Sequence, residues 1–348
     1  MDGEIKRKRQ IERKDRDLWQ NLGYLAADRK DKKVYPFGHT VFQMLRMGAL
    51  RRTEGVQSKL RATRRKAGIE RKRGCRSMEK VNIKGVPETM LQTLYARAAY
   101  SRQKKAKFHD DEAEEIVSRM DYDFSIAGKD AMMSKGVIAR TILLDRMVAD
   151  FIRKNPGCTV VNIACGMDTR VYRLKKNSSV AKEMGEVRWY NLDLPETITV
   201  RRRFLEENGH ISMIARSAMD EEWAKEIEEP KGKVLIIVEG LVMYLTEEDV
   251  KQIFSIISRR FSSAEIIMET MNPWVMEHMK EKSIEATKAK FTWGIKSGKE
   301  LAGIVPEFTW VQDVSLVEGM KVIMPVYYLF GWIPAVKNIS NKLVVMRK

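Results

Sequence analysis

Short apolar segments and amphipathic segments alternate regularly from residue 158 to the end of the 348-residue chain. The apolar segments are rich in β-branched residues. The run from Val234 to Val238 is apolar at every position, as is typical of a strand buried on both faces of a sheet. This alternation predicts an α/β fold with a mostly parallel, doubly wound sheet. The seven expected strands are 158–164, 187–194, 211–218, 233–238, 264–269, 308–314 and 342–346.

Helical periodicity is found before and between these strands. Apolar residues recur at three- and four-residue steps over 134–155, and Pro156 and Gly157 end that helix. Thr246 followed by three acidic residues is typical of a helix start, here for the helix 246–261. The other expected helices are 89–103, 110–120, 168–176, 195–208 and 220–229.

The positive charge of the chain is concentrated in its first 77 residues. They carry 23 Lys and Arg against 9 Asp and Glu, whereas the other 271 residues carry 41 against 38. Three interpretations stay open for this segment: an arm that binds nucleic acid, a disordered basic extension, or a stretch upstream of a native start at Met78. We expect the folded body to be 78–348, with helices at about 89–155 and the sheet core at about 158–348.

Cysteine, histidine and hydropathy exclude several classes of protein. Three cysteines form neither a disulfide framework nor a zinc motif, and four scattered histidines have no metal-ligand spacing. The charged N-terminus has no apolar core of a signal peptide, and the longest apolar stretch, 322–336, is too short to span a bilayer. The sequence predicts a cytoplasmic protein with no bound metal and no membrane partner.

The first expected strand leads into a turn of small residues and then a short helix. The turn is Ala164-Cys165-Gly166, and Asp168 and Thr169 follow it. Small residues let the backbone approach a ligand closely, and nucleotides bind at this corner of doubly wound sheets. The same residues also fit a tight turn in which Asp168 caps the helix.

An acidic residue ends the second strand, where Asp193 lies 27 residues after Gly166. An acid at this place can accept hydrogen bonds from both ribose hydroxyls of an adenosine-containing cofactor. It can equally cap the helix that begins at Pro195. The glycines that would bind a pyrophosphate are absent, so S-adenosylmethionine fits the pattern better than NAD.

A second acid, Glu239, ends the fourth strand and precedes Gly240. A buried carboxylate is costly unless it is solvated or paired. Ligands of open α/β sheets bind at the carboxyl ends of the strands. The position therefore predicts that Glu239 faces the cofactor, and a buried ion pair is the alternative.

The segments 162–174, 190–197 and 239–249, in this order and spacing, resemble the leucine carboxyl methyltransferase family. That family includes polyketide-synthesis O-methyltransferases of the tetracenomycin type. The resemblance runs from about residue 89 to residue 348 and includes the segments 94–98, 110–113 and 139–141. It implies the class I methyltransferase fold with a seven-stranded sheet, N-terminal lid helices and S-adenosylmethionine as the cofactor.

The resemblance also implies which residues bind the cofactor. Arg140 would meet the methionine carboxylate, Asp193 the ribose, and Glu239 the methionine moiety. A salt bridge on the helix surface is the alternative for Arg140. The full implied set is Arg140, Ala164, Gly166, Asp193, Ser217 and Glu239.

Two of these positions depart from the family pattern. Ala164 stands where the first glycine of the cofactor loop is usual, so the backbone is expected to approach the cofactor less closely there. Ser217 stands at the adenine-contacting position in place of a frequent Asp, and Asp220 is an alternative acceptor. Arg97 either reaches the cofactor from the lid or is a surface charge.

The implied reaction is methyl transfer to a carboxylate or hydroxyl of a small molecule, such as a polyketide-like metabolite. No histidine falls in a cofactor motif, which favours a carboxylate acceptor because a carboxylate is already ionised at neutral pH. No catalytic residue is assigned; Tyr244 either borders the transfer site or is a core aromatic. The acceptor pocket is expected from 272–306 and 324–335, including the aromatic residues Tyr327, Tyr328, Phe330 and Trp332.

Several other functions share parts of this pattern. A protein C-terminal carboxyl methyltransferase and a nucleic-acid-associated protein acting through the basic tail remain alternatives. A nicotinamide oxidoreductase would need a fuller glycine loop. Amino-methylating enzymes of nucleic acids usually carry an Asn/Asp-Pro-Pro-aromatic motif where this chain has 239–242. A non-catalytic scaffold is disfavoured because Arg140, Asp193 and Glu239 are all present.

Overall fold

Strands and helices alternate along the chain as the hydrophobic pattern predicts. A computed structural model describes residues 79–81, 85–125, 127, 130–278, 289–331 and 333–348. These residues belong to one unit of the chain, Arg76–Lys348. The interpretations of residues 1–77, and of a start at Met78, lie outside the described residues.

The described strands are two short ones and seven that form the main sheet. They are β1 (Glu79–Lys80), β2 (Met120–Asp121), β3 (Thr159–Ile163), β4 (Arg188–Asp193), β5 (Ile211–Ala215), β6 (Val234–Val238), β7 (Ala264–Thr270), β8 (Thr309–Ser315) and β9 (Lys342–Arg347). The main sheet has the order β5-β4-β3-β6-β7-β9-β8. Strands β3 to β7 run parallel, and β9 lies antiparallel between β7 and β8. The predicted doubly wound, mostly parallel seven-stranded sheet is confirmed.

The described helices precede the sheet and connect its strands. They are α1 (Thr89–Ser101), α2 (Asp111–Arg119), α3 (Ala131–Lys154), α4 (Arg170–Lys176), α5 (Pro195–Arg202), α6 (Glu222–Lys225), α7 (Glu247–Arg260), α8 (Pro273–His278), α9 (Gly298–Ile304), α10 (Val317–Ile323), α11 (Tyr327–Phe330) and α12 (Pro334–Ile339). Among the described residues, none of these helices is both long and apolar enough to cross a membrane.

Helices cover both faces of the sheet. Val148 of α3 packs in the same buried cluster as Leu235 of β6. Ile253 and Ile257 of α7 pack in a second cluster with Ile236, the next residue of that strand. Successive strand residues point to opposite faces, so the continuous apolar run of β6 is explained by burial on both sides.

The N-terminal helices pack over the turn that follows β3. Leu91 and Leu94 of α1 share a buried cluster with Ile116 of α2, Met167 of the turn and Ile198 of α5. Helices α1 and α2 therefore lie against the segment that the sequence predicted to contact the cofactor.

Helix α6 is shorter than the predicted 220–229. Three acidic residues follow its last turn, where the helix dipole disfavours negative charge. Their carboxylates pair with arginines outside the helix: Glu226 with Arg216, Glu228 with Arg188 and Glu229 with Arg260. These long-range pairs compete with continuation of the helix. The predicted helix 195–208 also ends early, at Arg202.

Strand register places the predicted motif residues at one edge. Ile163 at the end of β3 pairs with Leu192 of β4 and with Val238 of β6. The next residues, Ala164, Asp193 and Glu239, consequently leave the sheet side by side. The parallel arrangement turns three distant motifs into one site.

We predict that Thr246→Ala destabilises the protein by about 1 kcal/mol. The Thr246 hydroxyl accepts the backbone N–H of Asp249 at 3.2 Å, and the Asp249 carboxylate accepts the N–H of Thr246 at 2.9 Å. Urea unfolding measures the loss. The control Thr199→Ala lies on an exposed helix surface, where alanine has the higher helix propensity. Equal losses in the two variants would contradict a specific capping effect.

Candidate functional site

A cavity of about 350 Å³ opens at the carboxyl edge of the parallel strands. Its walls come from the turn after β3, the ends of β4 and β6, the segment after β5, and helices α1 and α3. All six residues predicted for the cofactor lie in these walls: Arg140, Ala164, Gly166, Asp193, Ser217 and Glu239. A larger depression of about 610 Å³ at the opposite edge contains none of them.

The turn after β3 has two residues in the left-handed backbone region. Ala164 has a φ of 52° and Gly166 a φ of 48°. Alanine is strained in this region whereas glycine is not. A Cβ on Gly166 would also lie 2.9 Å from the Cβ of Met90 in α1. The backbone at Ala164 thus keeps the conformation that glycine favours. At position 166 the close packing of α1 requires glycine itself.

Side chains hold both peptide groups of Gly166. Its N–H donates to Asp193 Oδ2 at 2.7 Å, and its carbonyl oxygen accepts from Arg201 Nη1 at 2.9 Å. Asp193 Oδ1 accepts the N–H of Leu194 at 2.7 Å. Burial raises the pKa of Asp193 above its usual value, although the N–H groups of Gly166 and Leu194 oppose this. Asp193 therefore positions the turn as well as facing the cavity.

Arg201 supports the turn beside the cavity, and the sequence analysis missed it. It is fully buried under the turn, on the same inward side of α5 as Thr197 and Ile198. No motif includes it. The signal in the sequence was its spacing: Arg201 comes three positions after Ile198, so both lie on the inward face of α5.

A buried guanidinium joins the acids at the bottom of the cavity. Arg170 is 1% exposed and donates to Asp145 at 2.8 Å, to Asp168 at 2.6 Å and to Glu239 at 2.7 Å. Asp168 also accepts the backbone N–H of Arg170 at 3.0 Å. The expected tight turn is present, but Thr169 and not Asp168 stands at the cap position of α4. The Asp168 carboxylate also pairs with Arg170 and Arg173.

Glu239 lines the cavity and is also ion-paired. The ion pair given as its alternative is therefore present, and its contact with the cofactor stays a prediction. Its carboxylate contacts Arg140 Nε at 2.6 Å and accepts from Arg170 Nη2. Burial raises the pKa of Glu239, but Arg140 and Arg170 together bring it below its usual value. The group is consequently an ionised acceptor.

Arg140 is not a surface ion pair, as the alternative held. It lines the cavity with 12% of its side chain exposed, and its Nη1 donates to Glu269 Oε2 at 2.6 Å. Burial lowers the pKa of Arg140, but Glu269 and Glu239 more than compensate and raise it above its usual value. Glu269 near the end of β7 is another residue that the sequence analysis did not identify, because only the sheet brings it to Arg140.

Arg97 lies in the cavity wall, and its interpretation as a surface charge is wrong. Its side chain is almost fully buried, pairs with Asp110 at 3.0 Å and donates to the carbonyl oxygen of Met167 at 2.7 Å. Asp110 also accepts from Arg173 at 2.7 Å and from the hydroxyl of Thr169. These contacts connect α1 and α2 directly to the turn after β3.

Asp220 does not take over the position of Ser217. Ser217 lies in the cavity wall, whereas Asp220 is absent from the described wall and pairs with Arg216 at 3.0 Å. Asp220 also accepts the backbone N–H of Glu222 at the start of α6. The geometry of a short helix start therefore holds this carboxylate away from the cavity.

The expected acceptor segments contribute nothing to the described cavity wall. No described residue of 272–306 or 324–335 lines it. Tyr328 is 64% exposed, while Trp332 and the side chain of Phe330 lie outside the described part. Tyr244 does line the cavity, and its ring lies 5.4 Å from that of Phe291. None of His109, His210 and His278 is in the described wall.

We predict that Gly166→Ala destabilises the protein in urea unfolding, whereas Ala164→Gly leaves its stability nearly unchanged. Gly166→Ala adds about 1–2 kcal/mol of left-handed strain, and the Met90 contact adds to this loss. Ala164→Gly removes such strain but increases the conformational entropy of the unfolded chain. These two effects oppose each other, so the free energy of unfolding stays within about 1 kcal/mol of the parent value. A Gly166→Ala protein as stable as the parent would contradict the geometry of the turn.

Comparisons with known proteins identify the family of this chain. The family model described as Leucine carboxyl methyltransferase matches residues 90–258. The chain is 30% identical over 243 residues to the tetracenomycin polyketide synthesis O-methyltransferase TcmP of Streptomyces glaucescens, covering 69% of this chain and 87% of that protein. It is 28% identical to the S-adenosyl-L-methionine-dependent methyltransferase dpfgK of Gibberella zeae, covering 75% and 93%.

A solved structure of a DUF574 family protein from Streptomyces avermitilis is also similar. It matches with a TM-score of 0.46 and 14% identity, over 73% of this chain and 97% of that one. This likeness is too distant to bear on function. The family match and the extensive identity with TcmP decide the assignment: the chain belongs to the leucine carboxyl methyltransferase family and is a methyltransferase that uses S-adenosylmethionine.

Proposed function

We propose that this protein is an O-methyltransferase that acts on a carboxylate or hydroxyl of a small molecule, with a carboxylate favoured. The observation that carries the proposal is the composition of the cavity wall. Its described charged residues are Arg97, Arg140, Asp168, Asp193 and Glu239, and histidine and lysine are absent from that described set. Such a wall can bind a charged cofactor but offers few groups to deprotonate an acceptor.

The cavity residues fit S-adenosylmethionine chemically. Asp193 is only half-buried, so its carboxylate can accept hydroxyl donors besides the two N–H groups that it already binds. Arg140 supplies a cation for the methionine carboxylate, and Glu239 an anion for the amino group. Ser217 offers an acceptor to adenine. The cofactor, when bound, supplies a methyl group on a cationic sulfur.

The remaining contribution of the protein is alignment and exclusion of water. The cavity lining includes the apolar residues Met90 of α1, Met219, Leu241 and Leu245. Apolar walls of this kind desolvate the reacting groups and fix their approach. These features assist transfer to any oxygen acceptor.

The lack of an evident base favours a carboxylate acceptor. Asp168 and Glu239 are poor bases, because their arginine partners bring their pKa values below the usual range despite burial. A carboxylate acceptor ionises near pH ~4 and needs no base, whereas a hydroxyl would need one. The relative TcmP is named an O-methyltransferase of polyketide synthesis, which supports a small organic acceptor.

Methylation of a protein C-terminal carboxylate is the second candidate. The description of the matching family supports it, since that family is named for leucine carboxyl methylation. The chemistry at oxygen is the same, and the acceptor alone differs. A role in nucleic-acid binding through residues 1–77 stays a prediction, which a salt-dependent gel shift tests.

We predict a product with one added methyl on a carboxylate oxygen. Aromatic polyketide acids, their phenolic analogues and a peptide ending in leucine are incubated with labelled S-adenosylmethionine and analysed by mass. The rate with a carboxylic acid should be flat from pH 6 to 8, because the acceptor stays ionised. Products from phenols alone, with rates that rise with pH, would contradict the carboxylate preference and favour a hydroxyl acceptor.

We predict that Asp193→Ala weakens binding of S-adenosylmethionine by about 10- to 150-fold, since a charged hydrogen-bond acceptor contributes roughly 1.5–3 kcal/mol. Calorimetry on purified protein measures the change. Asp220→Ala is the matched control, because it removes a carboxylate of the same type that is absent from the described cavity wall. Unchanged affinity in Asp193→Ala would mean that the ribose binds elsewhere.

A further inference from the structure

The ion pairs beneath the cavity form one connected network. Arg170 and Arg173 share Asp145 and Asp168, and Arg173 also binds Asp110. The network continues at both ends through arginines that line the cavity. Its described members are the arginines 97, 140, 170 and 173 and the carboxylates Asp110, Asp145, Asp168, Glu239 and Glu269.

This network contains one more carboxylate than guanidinium groups. Its five acids against four arginines leave one negative charge in excess within the described residues. The remaining charged residue of the cavity wall, Asp193, lies near the buried cation Arg201, so these two together add no net charge. The described surroundings of the cavity are therefore anionic by one charge.

Glu269 is placed to carry the excess. Arg140 is the single guanidinium paired with it in the described network, and Arg140 is shared with Glu239. Glu269 Oε2 accepts two donors, Arg140 Nη1 at 2.6 Å and the N–H of Gly240 at 3.0 Å. Hydrogen bonds of this kind favour the ionised carboxylate.

The protonation state of Glu269 is sensitive to a nearby cation. Burial raises its pKa above the usual value, and Glu239 adds to this, while Arg140 and the N–H of Gly240 oppose it. The side chain is 2% exposed, so water screens its charge little. A cation that binds in the adjacent cavity would offset the cost of burying this charge.

The methyl donor and its product differ in charge at this place. S-adenosylmethionine carries a carboxylate, an ammonium and a sulfonium group, and is cationic by one charge. On methyl transfer the S–CH₃ bond breaks and its electron pair stays on sulfur, so S-adenosylhomocysteine has no net charge. The positive charge of the donor therefore neutralises the excess negative charge of the network, whereas the neutral product leaves that charge uncompensated.

We propose that the excess carboxylate of this network, carried by Glu269, makes the cavity selective for the cationic methyl donor over the neutral product. Glu269 is then a specificity-determining residue that acts through charge and not through contact with the acceptor. The selectivity limits inhibition by product and favours its exchange for fresh donor. The proposal rests on the cofactor and not on the proposed acceptor, so its failure would leave the proposed O-methylation untouched.

Binding experiments without any acceptor test the proposal. Calorimetry gives the dissociation constants of S-adenosylmethionine and S-adenosylhomocysteine for the parent protein, Glu269→Gln and Glu269→Asp. Glutamine keeps an oxygen that can accept from Arg140 and Gly240 but removes the charge. Aspartate keeps the charge. Glu265→Gln is the control: the same change on the same strand, at an acid paired with Arg347.

We expect the parent protein to bind the donor more tightly than the product. Glu269→Gln should weaken donor binding by roughly 5- to 20-fold, because it removes one partly screened charge that attracts the cationic donor. Product binding should change by less than about twofold, because the product has no net charge. Glu269→Asp should keep the preference, and Glu265→Gln should leave both constants unchanged.

Three results would overturn the proposal. Equal weakening of donor and product in Glu269→Gln would show that Glu269 only positions Arg140. Unchanged constants in that variant would show that its charge does not reach the cofactor. A parent protein that binds the product as tightly as the donor would exclude the selectivity without any variant, even if Glu269→Gln failed to fold. Thermal unfolding checks that each variant is native.

Discussion

The fully buried guanidinium of Arg170 is the interaction on which the site depends. It holds Asp145 of α3, Asp168 of the turn after β3 and Glu239 directly after β6 within hydrogen-bond distance of one group. Removing a cation from water is expensive, and only well-formed hydrogen bonds compensate for it. Because Arg170 satisfies three carboxylates at once, it fixes helix, turn and strand relative to one another at the carboxyl edge of the sheet.

The same network connects the N-terminal helices to the cofactor turn. Asp110 begins α2 and pairs with Arg97 of α1 and Arg173 of α4, and Arg97 reaches the carbonyl oxygen of Met167. An apolar core of similar volume would often be as stable as such buried ion pairs. Buried charge next to the cavity proposed for S-adenosylmethionine points to a functional role, since local rules of stability are broken chiefly at functional sites.

The turn after β3 shows how a departure from the family pattern is accommodated. The sequence expectation was that alanine at 164 keeps the backbone farther from the cofactor. That expectation stays a prediction. Ala164 itself occupies the left-handed region, and Asp193 and Arg201 hold Gly166, two residues later, from its two sides. Local strain is thus accepted where neighbouring hydrogen bonds over-determine the backbone.

The sequence by itself determined the seven strands and placed the turn after β3, Asp193 and Glu239 at strand ends, because periodicity and the carboxyl-edge rule are local or nearly local signals. The full set of six residues in the cavity wall came from the resemblance to the family. Only the tertiary structure decided the roles of Arg97, Arg201 and Glu269. A lone arginine or glutamate is typical of a solvated charge when only the sequence is known. The hydrogen-bond partner in the fold lies 70 residues away for Arg97, 35 for Arg201 and 129 for Glu269. Register between strands and packing of helices bring these partners together in space. No local pattern along the chain indicates which distant residues will meet.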